Sequence, residues 1–437
     1  MSGVTFTGLS SGIDTASLVS QLVAAERAPA NAIAQQQSDL NTQKSIVGSL
    51  SSALANLGTA VQGMNLASEL QPRTATSSDS HVTVAASSGA AATVHDIRVL
   101  SLARGQISSS RTFGGQTGVL GDGSLKITTG TTSSTINYAS TDSLADVAAK
   151  INDAKAGASA SVLFDGTTYR LMVAATQTGT ANAPQFTETG AGLGLADPAN
   201  VKIPATDAKV AIDGVDVTRG SNVIGDAVDG LTLTLNSIHA TADPSTNVSV
   251  ALDTTSVAAK LTAMVSAYNS VNAALHVQLD YTGTKKGAGT LFGDSTLRQL
   301  QGALGNIMGN AYGTGANNTL GSVGLSRDKT GGLTLDTTKL NAALATNPNV
   351  VSDLFVSGGF ADKVNTLTEA YTRTGDGILA SKSDSLTSRF KSLQTQSDQI
   401  NSRADAMKTQ LDAQFTALET AMTKLKQQSA YITSVLG

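Results

Sequence analysis

The side chains able to do chemistry are few and scattered. Gly8-Leu9-Ser10-Ser11-Gly12 matches the G-x-S-x-G turn that presents a hydrolase serine, but that turn needs a strand before it and an acid and a histidine after it. Seven residues without strand character precede it, so it reads as a lead-in to a helix. The four histidines, His81, His95, His239 and His276, share no His-x-x-x-His spacing that would set two ligands on one helix face. They read as solvated or hydrogen-bonded structural residues. Glu occurs five times, at Glu26, Glu69, Glu188, Glu369 and Glu419, never as the close pair that acid–base glycoside chemistry uses. Asp226-Ala227-Val228-Asp229-Gly230 lacks the spacing and terminal Glu of a calcium loop, and no glycine loop with a following Lys cradles phosphate. The expectation is therefore a protein with no catalytic residue, metal or cofactor, working through its surfaces.

The elements that shape those surfaces begin with the last stretch of the chain. Phe390, Leu393, Ser397, Ile400, Ala404, Met407, Leu411, Gln414, Leu418, Ala421, Leu425, Gln428, Ile432 and Val435 recur in steps of three and four, eleven of the fourteen apolar, with no Pro or Gly between them. A 3.5-residue period over six heptads is a coiled-coil seam, roughly 70 Å long at 1.5 Å per residue. Phe415 and Met422 widen it toward a multi-helix bundle. At the other end, Leu18, Val19, Leu22 and Val23 mark a short helix that Pro29 is expected to interrupt. A second seam follows through Ile33, Gln36, Leu40, Gln43, Val47, Leu50, Leu54, Leu57, Val61 and Met64. Residues 390–435 are expected to pair antiparallel with 33–64, their Gln positions trading stability for register.

Between the seams the period changes. From Pro72 the pattern alternates, with Asp165-Gly166 and Asp213-Gly214 as two-residue hairpin turns and one helix near 143–154. From Thr254 it returns to helical spacing, and Asp336 is placed to cap a helix that Asn347-Pro348 ends. The fold class is α+β: an antiparallel coiled-coil stem, a helical domain and inserted β-rich head domains. The expected division is 1–70 and 385–437 for the stem, 254–384 for the helical domain with a β hairpin, 71–110 with 232–253 for an inner head and 111–231 for an outer one. A chain of 437 residues exceeds what one core usually serves.

Composition narrows the classes. Aromatics are 4%, Trp is absent and charged residues are 14%, which suits slim β domains and Ala- and Leu-filled helices better than a large enzyme core. The formal net charge of −4, with no basic stripe, leaves nucleic-acid binding without a footprint. No run of 18 apolar residues is present, so no membrane span is expected; neither is a secretory signal peptide. The absence of Cys excludes disulfides and thiolate metal sites.

Leu9-Ser10-Ser11-Gly12-Ile13-Asp14 followed by Leu18-Val19-Ser20-Gln21-Leu22 resembles the opening of the bacterial flagellar filament cap proteins, the hook-associated protein 2 family. The resemblance continues in residues 208–215, Ser221-Asn222, Gly230-Leu231-Thr232-Leu233, Tyr268-Asn269 and Phe292-Gly293-Asp294 with Leu297-Arg298. It runs on through Gly324-Leu325, Gly332-Leu333-Thr334-Leu335-Asp336 and Phe415-Thr416-Ala417-Leu418-Glu419. It implies a homo-oligomeric cap, often of five copies, at the extracellular tip of the filament, where it helps flagellin fold and insert. It further implies export by the flagellar type III route and an export chaperone. The partner-contacting residues expected on this reading are Leu9, Ile13, Leu18, Leu22, Leu411, Phe415, Leu418, Met422, Leu425 and Ile432. A hook–filament junction protein or flagellin-related component, and more distantly an adhesin on a coiled-coil stalk, are the alternatives.

Overall fold

The computed structural model describes residues 14–279, 291–312, 318–356 and 358–436. The chain divides into two compact units, Met1–Leu70 with Ala258–Gly437, and Gln71–Val257. Helices and antiparallel sheets coexist, so the α+β expectation holds.

The first unit is organised by its longest helices. Helix α1 spans Thr15–Gln62, and the Asp14 side chain caps it by accepting the Ser17 N–H at 3.0 Å. Pro29 lies inside α1 and does not interrupt it, against the sequence expectation. A helix-interior Pro forfeits a hydrogen bond and crowds the carbonyl four residues back. Here the packed face continues across it, with Val23 and Ala30 buried on either side, and that burial offsets the loss. After the short α2 (Ala67–Leu70) and the whole second unit, the helical part resumes. It comprises α4 (Thr254–Leu279), α5 (Ser295–Gly309), α6 (Thr337–Thr346), α7 (Val350–Phe355), α8 (Phe360–Thr372) and the 59-residue α9 (Ile378–Leu436). Asp336 caps α6 through the Lys339 N–H at 3.0 Å, as the sequence indicates, and Asp294 caps α5 and pairs with Lys382. In the core, Phe360 meets the Tyr312 ring edge-on and the Phe355 ring at a tilt.

Helices α1 and α9 run antiparallel, but in a register different from the expected one. Gln37 Nε2 donates to Gln394 Oε1 at 2.9 Å, Glu26 meets Arg403 at 3.7 Å and Arg27 pairs with Asp405. Gln37 with Gln394 falls inside the expected pairing of 390–435 with 33–64, but Arg403 and Asp405 already face α1 before residue 33, so the pairing is displaced toward the start of α1. The second half, with Leu50, Leu54, Leu57 and Val61 buried, packs on α8. There Gly58 lies so close that a Cβ would sit 2.9 Å from Thr368 Oγ1, and Gln62 bonds Asn365. The cause is the uninterrupted α1: a helix starting at Thr15 offers its partner about four further turns that a break at Pro29 would remove. The seam phase stays as expected, with Ile33, Leu40, Gln43 and Val47 all turned inward, except at one position: Gln36 is exposed and Gln37 is half-buried.

The second unit holds fifteen strands and one α-helix among its described residues. They are β1 (Arg73–Ser77), β2 (Val82–Ala86), β3 (Val94–Ser101), β4 (Ile107–Ser109), β5 (Gly123–Thr129), β6 (Thr132–Tyr138), α3 (Leu144–Asp153), β7 (Ala158–Phe164) and β8 (Tyr169–Ala175). Then come β9 (Gln185–Gly190), β10 (Val201–Ile203), β11 (Ala208–Ile212), β12 (Val215–Arg219), β13 (Val223–Ile224), β14 (Leu231–Leu235) and β15 (Thr246–Leu252). Sheets β1-β15-β3-β11-β12 and β13-β14-β2 share a core of Val82, Ile97, Val99, Val210, Leu233 and Val248. Sheets β10-β4-β8-β7 and β6-β5-β9 share another, with Leu125, Ile127, Leu171 and, from α3, Leu144 and Ile151. The expected inner and outer boundaries cut across these sheets. Strand β11 bonds β3, Val210 opposite Val99, while β4 bonds β8, Ser108 opposite Val173. Residues 208–231 therefore belong with the first pair of sheets and 107–109 with the second. Short alternating strands look alike in sequence, so pairing alone decides membership. The remaining hairpin, β16 (Leu325–Arg327) with β17 (Leu333–Leu335), lies in the helical unit.

Leu57 is fully buried where α1 meets α8. Leu57→Ala is expected to cost about 2–5 kcal/mol of the helical unit's stability in denaturant titration, with far-UV signal loss at lower denaturant.

Candidate functional site

The end of the stem where α1 begins and α9 approaches its close carries the expected contact residues, and the structure sorts them into three groups. Leu9 and Ile13 lie outside the described residues. Leu411 and Phe415 pack half-buried against Val19, Val23 and Ala404, closing the seam. The third group stays open to solvent: Leu18 at 41% exposed, Leu22 at 38%, Leu418 at 44%, Leu425 at 59% and Ile432 at 55%. Met422 is half-buried between them. Tyr431, which the sequence reading did not assign to this face, is 70% exposed.

Local helix geometry explains the sorting. In α1 the seam runs Thr15, Val19, Val23, Ala30, so Leu18 and Leu22, one residue earlier, point off it. Among the described residues, Phe415 is the last α9 side chain packed against α1, on the Val19–Val23 face. Leu418, Leu425 and Ile432 continue the same 3.5-residue stripe past the described start of α1, which leaves them without cover among the described residues. Between the helices lies a groove of about 880 Å³ lined by Val19, Val23, Phe415, Arg27, Lys408 and Asp412 among others. The Lys408–Asp412 pair at 2.6 Å is more than half exposed on the Lys side, so it is worth little to stability and sets the groove's polar rim.

The titratable groups of the second unit form two clusters that sequence spacing did not announce. His95 Nδ1 bonds Asp213 Oδ2 at 2.7 Å, and its Nε2 meets Thr93 Oγ1 at 2.9 Å. The other Asp213 oxygen accepts the Asp96 N–H at 2.8 Å. The hydrogen bond from His95 and that backbone N–H hold the Asp213 carboxyl below its ordinary range. The order hydroxyl, imidazole, carboxylate matches a hydrolase relay, but here it fastens the hairpin turn, where Asp213 at φ 50° and Gly214 at φ 81° adopt the left-handed backbone a two-residue turn needs. The second cluster is Asp79, His81 and His239, whose ligand atoms lie within 4.8 Å of one another. The donor set suits a divalent metal, but the lone pairs do not. The two imidazoles stack at 4.1 Å with 21° between planes, so their in-plane nitrogens do not converge. His239 Nδ1 accepts the Val99 N–H at 3.0 Å, which consumes that ring's lone pair. Among the other motifs singled out, the Gly8–Gly12 stretch lies outside the described residues. Asp226 has both oxygens on Arg219 Nε at 3.0 Å.

Comparison with known proteins reaches both units of the chain. The family model described as flagellar hook-associated protein 2 C-terminus matches residues 205–427, and its N-terminal counterpart matches 11–106. A flagellin hook IN motif matches 124–177, the stretch that carries β5 to β8. The flagellar hook-associated protein 2 of Escherichia coli K12 is 30% identical over 417 residues, covering 89% of this chain and 88% of the relative. The A-type protein of Pseudomonas aeruginosa is 29% identical over 427 residues, with 89% and 88% covered. Among solved structures, the D1-D2-D3 domains of the Escherichia coli flagellar cap protein FliD align with a TM-score of 0.68 at 28% identity, over 78% of this chain and all (100%) of that one. Matches that span both stem helices and the inserted β sheets together leave one assignment: the chain belongs to the flagellar hook-associated protein 2 family.

Proposed function

We propose that this protein is the structural cap at the distal end of the bacterial flagellar filament, and that it promotes the folding and insertion of flagellin as the filament grows. The observation that carries the reading is family membership over nearly the whole chain, combined with a stem whose apolar stripe continues exposed, among the described residues, through Leu418, Leu425 and Ile432. A stripe of that kind is normally an interaction site. It is offered first to neighbouring copies of this chain, in a homo-oligomer for which five copies is the working number, and to flagellin. Before export by the flagellar type III route it is offered to a chaperone; route and chaperone rest on the family resemblance alone.

A cap with fewer subunits than the filament has strands cannot match every lattice site at once, so something must give at each insertion. The polar contact of Gln37 with Gln394 is the place in the stem where parting the helices costs least, because two amides can exchange their mutual bond for water.

Removing the protein from a motile cell is expected to leave flagellin released as monomers and the cell non-motile; normal filaments would overturn the cap reading. Leu418→Asp with Leu425→Asp is expected to shift light scattering of the purified protein toward smaller species while circular dichroism stays that of the wild type. Unchanged assembly would remove the stripe from the interface. Gln37→Leu with Gln394→Leu is expected to raise the melting temperature by about 2–4 °C, equivalent to about 1 kcal/mol, and to shorten filaments at matched secretion. Growth at the normal rate in that variant would exclude the flexible stem.

A further inference from the structure

Residue 239 contacts β3 in an unusual way. Its own N–H donates to the Val99 carbonyl at 3.0 Å, and its ring Nδ1 accepts the Val99 N–H at 3.0 Å. The side chain thus completes the pair of bonds that a neighbouring strand would make, just where β15 stops pairing β3 at Thr246 opposite Ile97. A backbone N–H can only donate, so Nδ1 carries the lone pair and Nε2 carries the proton. That Nε2–H donates to Thr246 Oγ1 at 3.1 Å, and Thr246 donates to Asp79 Oδ1 at 2.7 Å. Asp79 also holds the His81 N–H at 2.9 Å. One neutral tautomer therefore fastens residues 236–245, β3, the head of β15 and the β1–β2 turn together.

A second proton has no place in this arrangement. It would sit on Nδ1 and point at the Val99 N–H, donor against donor, in a residue 8% exposed. The charged groups around the ring divide. Asp79 lies beyond Thr246 and Asp243 beyond His81, with Asp243 Oδ2 3.8 Å from His81 Nε2. His81 is stacked on the ring itself. From β3, Arg98 binds the carbonyls of Ala240 and Asp243 at 2.7 Å, and Asp96 accepts the Ser245 hydroxyl at 2.5 Å. We propose that His239 is an acid-operated latch: on taking up a proton from solvent it must leave Val99, releasing residues 236–245 and the Asp79 turn from the sheet.

Burial first, and the neighbouring His81 second, hold the His239 imidazole below its ordinary 6.5. A base depressed in the folded state contributes fully above pH 6.5 and loses that contribution as pH falls from there to its folded value, below which the loss is constant. Opening linked to one proton should rise about tenfold per pH unit across that window. Hydrogen exchange of the full-length protein between pH 7.5 and 5, expressed as protection factors, is expected to show this slope for the amides of His239, Ala240, Asp243 and Val99. Ile127, in the other core, should stay flat. His239→Asn places a non-titrating oxygen where Nδ1 stands and is expected to abolish the slope. A flat wild type, or a slope that survives in His239→Asn, overturns the latch. If the variant does not fold, an NMR titration of histidine-labelled wild type decides. A His239 midpoint well below 6.5 supports the latch, and one at or above 6.5 overturns it.

Discussion

The apolar seam between α1 and α9 is the contact on which the rest of the helical unit depends. It joins segments separated by almost the whole sequence. Fixing two helices of 48 and 59 residues costs conformational entropy that neither repays alone in water. Each buried Leu, Ile or Val along the seam returns about 1.5–3 kcal/mol, whereas the exposed ion pairs along its rim return little. Hydrophobic register therefore holds the stem and the charges trim it. The same arithmetic explains why the stripe beyond Phe415 matters. An α9 that keeps its heptad period past the described start of α1 keeps apolar side chains exposed among the described residues, and the proposed cap assembly is what would cover them.

Much of this was legible in the sequence, and what was not has identifiable physical causes. The 3.5-residue period announces both long helices, and Asp336 and Asn347-Pro348 announce the limits of α6, because caps and breakers act locally. Register is not local. A heptad seam matches its partner nearly as well after a shift of seven residues, so the pairing turned on whether Pro29 ended α1. Local propensity favoured a break, and packing on both sides of the proline prevailed. That outcome set Arg27 against Asp405 and Gln37 against Gln394, and left the end of α1 around Gly58 and Gln62 to α8.

In the β unit the hairpins at Asp165-Gly166 and Asp213-Gly214 could be read from two residues each, but sheet membership could not. Strands β11 and β12, like β7 and β8, are a short hairpin pair around an Asp-Gly turn, and only the bonds of β11 to β3 assign them to the first pair of sheets. The His239 cluster left no mark at all, since Asp79, Val99, His239 and Thr246 come from four separate places in the chain. A related economy recurs in the helical unit, where the Asn269 amide gives and takes a bond with the Leu333 backbone at 2.9 and 2.7 Å. In both places a side chain stands in for a strand, where a sheet edge meets a non-strand element and its backbone groups must still be satisfied.

On the function proposed for it, the stripe beyond Phe415 is covered when copies of the protein assemble. The chain has no Cys, so a single introduced thiol reports its own surroundings. Leu425→Cys and, on the neighbouring exposed position, Lys424→Cys should react with a maleimide at similar rates in the dispersed protein. On filaments bearing the assembled cap, the thiol at 425 is predicted to be protected at least about tenfold relative to the one at 424. Equal labelling of the two positions on the assembled cap would contradict the account.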